Sequence, residues 1–276
     1  MKFAIMSLDF KRLPLEQVFR LARDYGFEGM ELWGSRLHAH PGDVTPADAK
    51  QIIRWKKEYG VDIPMYSPNV LGFPYCICSR ISREREDAVK FYQGMADVAS
   101  MLEIPRILVI ADHPGYFLPR KEAWAYLVDS MKQITAYAAS KGVRTIIEPL
   151  TPMESPVVTT AGDCVDLIAE VNHPELYAMM DVVPPVIVHE PFSHYFVLLG
   201  EKLDYIHLCN TDGVTDAHTR LDSGILPIAD VINVFKHWNF QGYVTTEIYS
   251  ENYRDPELML SNTARYLDNV KKELAL

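Results

Sequence analysis

The feature that most constrains this chain is a repeating alternation. Short apolar runs of strand character are followed, eight times over, by longer segments with the periodicity of amphipathic helices. The strand-like runs fall at residues 3–7, 29–33, 62–66, 106–111, 144–148, 176–181, 205–208 and 243–247. The helical patterns occupy 15–25, 46–59, 83–101, 121–141, 161–171, 192–199, 228–238 and 256–274. Strands separated by helices can pair in parallel, so the pattern implies a parallel sheet wrapped by helices. Gly26, Gly60, Gly142 and Gly242 each come between a helical pattern and the next strand, where a left-handed glycine is the expected helix stop.

Eight such units in 276 residues match one (β/α)8 TIM barrel, whose usual length is about 250 residues. The competing architecture, an open doubly wound sheet, would place a glycine-rich phosphate loop after the first strand. This chain has Leu8, Asp9, Phe10 and Lys11 there. No linker or composition shift divides the chain, so residues 1–276 are expected to form one domain, and 48% hydrophobic residues suffice for its core. The longest irregular pieces, 67–82, 149–159, 182–191 and 209–227, each follow a strand's C-terminal end, the face that carries active sites in such barrels.

A net charge of −10 repels a polyanion, which argues against nucleic acid as a partner. The N-terminal apolar run is too short for a secretory signal and no run is long enough to span a membrane, so a soluble, cytoplasmic protein is expected. Cys76, Cys78, Cys164 and Cys209 lack the number and spacing of a disulfide framework or a zinc site and read as reduced thiols. A homo-oligomer is expected, of a state the sequence does not give.

The chemistry concentrates at the ends of the late strands. Glu148 ends RTIIE, Asp181 ends LYAMMD, His207 sits in YIHL and Glu247 ends YVTTE. These residues are 33, 26 and 40 positions apart, about one strand-helix unit each, so closure of a barrel aims all four side chains at a common point. A single strand-end acid would more often pair with a helix residue, but four metal-capable groups in one phase form a constellation. Three carboxylates and an imidazole suit one octahedral divalent ion, Mn²⁺, Mg²⁺ or Co²⁺, better than a thiolate-rich zinc site. Without a cation or protons, three clustered carboxylates repel one another.

Around this set, Glu154, six residues past Glu148 in EPLTPMES, reaches back over the mouth as a candidate substrate-binding carboxylate. His113 and His218 follow the fourth and seventh strands and are candidate contacts for substrate hydroxyls. Trp33, Tyr66, Tyr75 and Tyr116 offer aromatic faces of the kind that stack on sugars.

At these residues the chain resembles the xylose-isomerase-like barrel superfamily, whose ketose 3-epimerases, sugar isomerases and apurinic endonucleases share a Glu, Asp, His, Glu metal set. RLPLEQVFRLARDYGFEGMELWG, EPLTPMESPVV, GEKLDYIHLCNTDGVTDAH and GYVTTE resemble the bacterial 3-epimerases that act on fructoselysine, and the likeness runs nearly end to end. The resemblance implies Glu148, Asp181, His207 and Glu247 as ligands of one divalent metal, Glu148 and Glu247 also as acid and base, and Glu154 as a substrate ligand. It implies an isomerase that epimerises a ketose by removing the C3 proton through a cis-enediolate, with a sugar or glycated lysine as substrate. An ammonium end would then need an acid, which Asp112, Glu154 or Asp216 could supply.

Two departures bear on the substrate. Related tagatose and psicose epimerases carry a substrate-binding His three residues after the Asp ligand, where this chain has Pro184. Beyond His218 the usual Pro-Gly-Glu-Gly is replaced by Leu221, Asp222, Ser223 and Gly224. A free ketohexose should therefore be held differently here. The alternatives are a 3-epimerase of free or phosphorylated sugars, an aldose-ketose isomerase on the same site, a barrel that binds sugar without chemistry and, more remotely, an apurinic endonuclease. The last is prompted by Asp216 and His218 as further ligands, and the acidic charge opposes it.

Overall fold

The computed structural model describes residues 1–73, 75–249 and 254–276. Eight parallel strands close on themselves in chain order: β1 (Lys2–Met6), β2 (Gly29–Trp33), β3 (Tyr66–Ser67), β4 (Arg106–Ile110), β5 (Arg144–Glu148), β6 (Leu176–Asp181), β7 (Leu203–Leu208) and β8 (Tyr243–Thr246). Closure is made by β1, which pairs with β2 on one side and β8 on the other. Helices α1 (Leu15–Asp24), α2 (Pro46–Tyr59), α3 (Ser82–Met101), α4 (Arg120–Ser140), α5 (Ala161–Val171), α6 (Val183–Ile187), α7 (Phe192–Leu199), α8 (Ile228–His237) and α9 (Pro256–Leu274) form the outer layer. Strands such as RTIIE are buried on both faces, inward against the barrel interior and outward against helices, which is why they read as nearly continuous apolar runs.

Three expectations are corrected. The third strand, expected at 62–66, is a ladder of only Tyr66 and Ser67 with a separate bridge between Gly29 and Asp62, because Pro64 has no N–H to give the ladder. The stretch 182–191 is not wholly irregular, since it holds α6. Pro184 and Pro185 lie in that helix's first turn, where the backbone N–H groups have no intrahelical partner and proline loses no bond. Gly26, Gly60 and Gly142 have the expected positive φ, but Gly242 does not. After α8 the left-handed residue is Asn239, and Gly242 is required instead by close packing, since a Cβ there would stand 2.9 Å from the Asp204 carbonyl.

Caps fix the helix starts. Thr45 on α2 and Thr160 on α5 each form a reciprocal capping box with the aspartate three residues on, Asp48 and Asp163. At the N-terminal end of the barrel, Arg106 of β4 holds Asp204 of β7 through two hydrogen bonds of 2.7 and 3.0 Å, joined by Arg144 of β5 at 3.4 Å. The loops at the opposite end surround the candidate functional groups.

Candidate metal centre

The four strand-end groups meet. Glu148, Asp181, His207 and Glu247 are all buried, and each offers a ligand atom within 4.8 Å of the others'. They come from β5, β6, β7 and the residue just past β8, so the arc of four neighbouring strands carries Glu148 and Glu247 at its two ends and Asp181 and His207 between them. His207 is the penultimate residue of its strand rather than the last, yet the β6–β7 register sets it directly beside Asp181.

His207 is the pivot. Its Nδ1 lies 3.0 Å from Glu148 Oε1 and 3.0 Å from Glu247 Oε2, yet it is buried and makes no hydrogen bond with either. Its other nitrogen, Nε2, lies 3.0 and 3.1 Å from the two oxygens of Glu31. A buried ring nitrogen left without a bond amid three carboxylates suits a hard divalent cation of the Mn²⁺, Co²⁺ or Mg²⁺ type, and the residues present fit one.

Charge crowding is written into the protonation equilibria. Burial raises Glu148 to about 7, against the pull of His207. His207 and His218 are both raised well above the usual histidine value: burial opposes this, but the carboxylates around them outweigh it. Asp181 is held below its usual range in spite of burial, because His218 Nε2 lies 2.8 Å from its Oδ2 and the Val183 N–H donates to its Oδ1. Burial also raises Asp9, whose carboxylate accepts from the Ile248 N–H beside Glu247.

A cavity of about 650 Å³ opens above these groups, lined in part by Glu148, Asp181 and Glu247. Glu154, His113, His218, Trp33 and Tyr116 line it as well, and so do Asp112 and Asp216. Glu154 accepts from the N–H and hydroxyl of Thr151; burial and the negative charge of Asp216 raise it to about 9. Tyr249, which the sequence reading missed, stacks on His218 with ring centroids 4.5 Å apart and donates to Asp216 at 2.7 Å. His113 turns its Nδ1 to the Gly115 N–H.

Two aromatic candidates lie elsewhere. Tyr66 is wholly buried with its hydroxyl on the Ala39 carbonyl, away from the cavity. Tyr75 stacks on Phe91 beside a separate groove. Alternation in β3, where Ser67 turns to Glu31, sets the Tyr66 ring on the opposite face, whereas Tyr75 lies in the loop past that strand, where no such periodicity operates. Glu31 was missed for the opposite reason: it sits in mid-strand, and its one signal is an acid inside the apolar run GMELW.

Among the described residues no helix is long and apolar enough to cross a membrane, and all four cysteines are buried and free. A family profile described as xylose isomerase-like TIM barrel matches residues 19–270. Fructoselysine 3-epimerase of Escherichia coli O157:H7 is 32% identical over 258 residues, covering 94% of both chains. Among solved structures, the fold is shared with D-psicose 3-epimerase from Clostridium cellulolyticum H10, at 18% identity and a TM-score of 0.83 over 99% of each chain. An L-ribulose 3-epimerase, 14% identical, gives a TM-score of 0.85 over 99% of this chain and 95% of its own. The closed barrel, the buried ligand set and the near full-length match converge: the chain belongs to the xylose isomerase-like TIM barrel family, in its 3-epimerase branch.

Proposed function

We propose that the protein is a divalent-metal-dependent ketose 3-epimerase that inverts C3 through a cis-enediolate, and that its substrate is a fructosyl-lysine-type glycated amine. The observation that carries the reading is the placement of Glu148 and Glu247 at the two ends of one strand arc, each 3.0 Å from the same imidazole nitrogen.

A cation bound by Glu148, Asp181, His207 and Glu247 supplies Lewis-acid stabilisation of negative charge on the substrate's oxygens. The two glutamates do the proton work. A ketose laid across the mouth meets one carboxylate from each side, so one takes the C3 proton and the other returns a proton to the opposite face. Inversion follows from two bases on two faces. Asp181 does not compete for this role, because its oxygens are engaged by the Val183 N–H and His218. Glu154, Asp216 and His218 supply polar contacts along the cavity wall, and Trp33 and Tyr116 supply apolar ones. The relative named above is the support for a glycated lysine, and Asp112 and the pair of Glu154 and Asp216, which keeps a negative charge when Glu154 is protonated, suit its ammonium end. We assign the protein to the cytoplasm, as a homo-oligomer.

The test is deuterium uptake from D₂O, followed by NMR, with the Mn²⁺-loaded protein and fructoselysine, fructose, tagatose or their phosphates. Exchange at C3 with a new epimer is expected, fastest with fructoselysine. Exchange between C1 and C2 would mark an aldose-ketose isomerase instead, and no metal-dependent exchange with any of them would overturn the proposal. Glu148→Gln and Glu247→Gln, each shown to retain metal, are expected to lose exchange by at least about 100-fold, the contribution typical of a positioned acid or base.

A further inference from the structure

Glu31 is the third residue of β2, wholly buried inside the barrel. A carboxylate in such a place needs partners that satisfy it, because an ion taken out of water is costly unless it is paired and hydrogen-bonded. Its ion-pair partner is the imidazole of His207, reached across the barrel from β7 with Nε2 3.0 Å from Oε2 and 3.1 Å from Oε1. The hydroxyl of Ser67, at the end of β3, donates to Oε1 and holds the carboxylate from the other side. Both histidine and glutamate are at most 1% exposed, so water does not compete for these bonds.

A neutral imidazole carries one proton, and the nitrogen that holds it is set by the bond the other ring atom makes. Carboxylate oxygens face both nitrogens, but those at Nδ1 belong to Glu148 and Glu247 of the candidate ligand set, so when a cation is bound there the one proton of the ring belongs on Nε2, facing Glu31. Nδ1, which lies between Glu148 and Glu247 at 3.0 Å from each, would then turn its lone pair to the ion. We infer that Glu31, held by Ser67, is a positioning residue for the metal centre: it fixes His207 in the Nε2–H form with its ring aimed inward and thereby sets how tightly the four ligands hold a divalent ion. The inference rests on the metal-dependent reading above. It adds to that reading a residue that touches neither ion nor substrate and sits three strands away from His207 around the closed barrel.

The rival role is mechanical, with Glu31 merely tying β2 to β7. The two roles predict different readouts. If Glu31 positions His207, its removal should weaken Mn²⁺ binding, measured by electron paramagnetic resonance titration, about 10- to 100-fold, the usual cost of losing such a partner. In wild-type protein loaded with diamagnetic Mg²⁺, long-range proton-nitrogen NMR on nitrogen-15 histidine should show the His207 proton on Nε2. Glu31→Leu, which removes the acceptor, should lose that single form and show the full drop in affinity. Glu31→Gln, whose amide oxygen can still accept from Nε2, should fall between Glu31→Leu and wild type, and Ser67→Ala should change affinity by only a few-fold.

Should Glu31→Leu fail to fold, Glu31→Gln and Ser67→Ala still rank the effect. Variants that unfold at lower temperature yet bind Mn²⁺ as wild type does, with the proton still on Nε2, would overturn the inference and leave the metal centre intact. A wild-type protein that binds no Mn²⁺ would overturn both.

Discussion

At the scale of single residues, the site is defined by where each side chain spends its hydrogen bonds. Asp181 uses both oxygens, one on a backbone N–H and one on His218, so it is held in place and suits the proposed role of ligand better than that of base. Glu154 differs: its pKa is raised from 4.5 to about 9 by burial and the charge of Asp216, so near neutral pH it keeps its proton beside Asp216. The sign of the linkage follows. Between pH 4.5 and about 9 the unfolded chain releases this proton while the folded one holds it, so Glu154 makes stability fall as pH rises through that window. Glu154→Gln keeps a donor for Asp216 and removes the titration. In metal-free protein, its melting temperature relative to wild type is therefore expected to climb from pH 5 to pH 9. Parallel curves for the two proteins would mean that Glu154 is ionised in the fold.

At the scale of elements, the two ends of the barrel divide labour. The candidate metal centre sits at the C-terminal ends of the strands, while Arg106, Arg144 and Asp204 lie at the N-terminal ends. The Arg106 and Asp204 side chains are only 17% and 14% exposed, so removing one leaves the other buried and uncompensated. Asp204→Ala is expected to destabilise the protein by about 3–5 kcal/mol in denaturant unfolding and, where it remains folded, to leave kcat/KM within about two-fold. An equal loss of activity in folded variant would show that the two ends are coupled. The same division explains what could be read in advance. The convergence of the four strand-end groups was legible because a repeating unit places them in a shared phase, and the place of Glu154 on the cavity wall because its loop starts at one of them. Glu31 was not, since mid-strand it has no phase to share, and only the closed barrel brings β2 opposite β7. The short β3 and the helix α6 were obscured by prolines, whose effect depends on whether the missing N–H had a partner to lose.

At the scale of the whole molecule, the fold tolerates a concentration of buried charge that no apolar core would select. Glu31, Glu148, Asp181 and Glu247 lie within reach of one imidazole at the barrel's mouth, each at most 9% exposed. A barrel can carry this because the strain is confined to one end, while apolar packing of strands against helices supplies stability along the rest of its length. Like charges held together raise the energy of the metal-free fold, and a divalent ion that binds only the folded form lowers it in proportion to its occupancy. At a free Mn²⁺ concentration about 100 times its dissociation constant, the linkage is worth about 2.7 kcal/mol. For a chain of this length that corresponds to a rise in melting temperature of about 5 °C. Scanning calorimetry with and without chelator should show this rise for the wild type and its loss in Asp181→Ala and His207→Ala. Because the ligands converge from four strands, the gain belongs to the closed barrel as a unit, so a single unfolding transition should shift rather than split in two. A wild-type transition that ignores Mn²⁺ while the variants melt with it would leave the buried carboxylates without a purpose in metal binding.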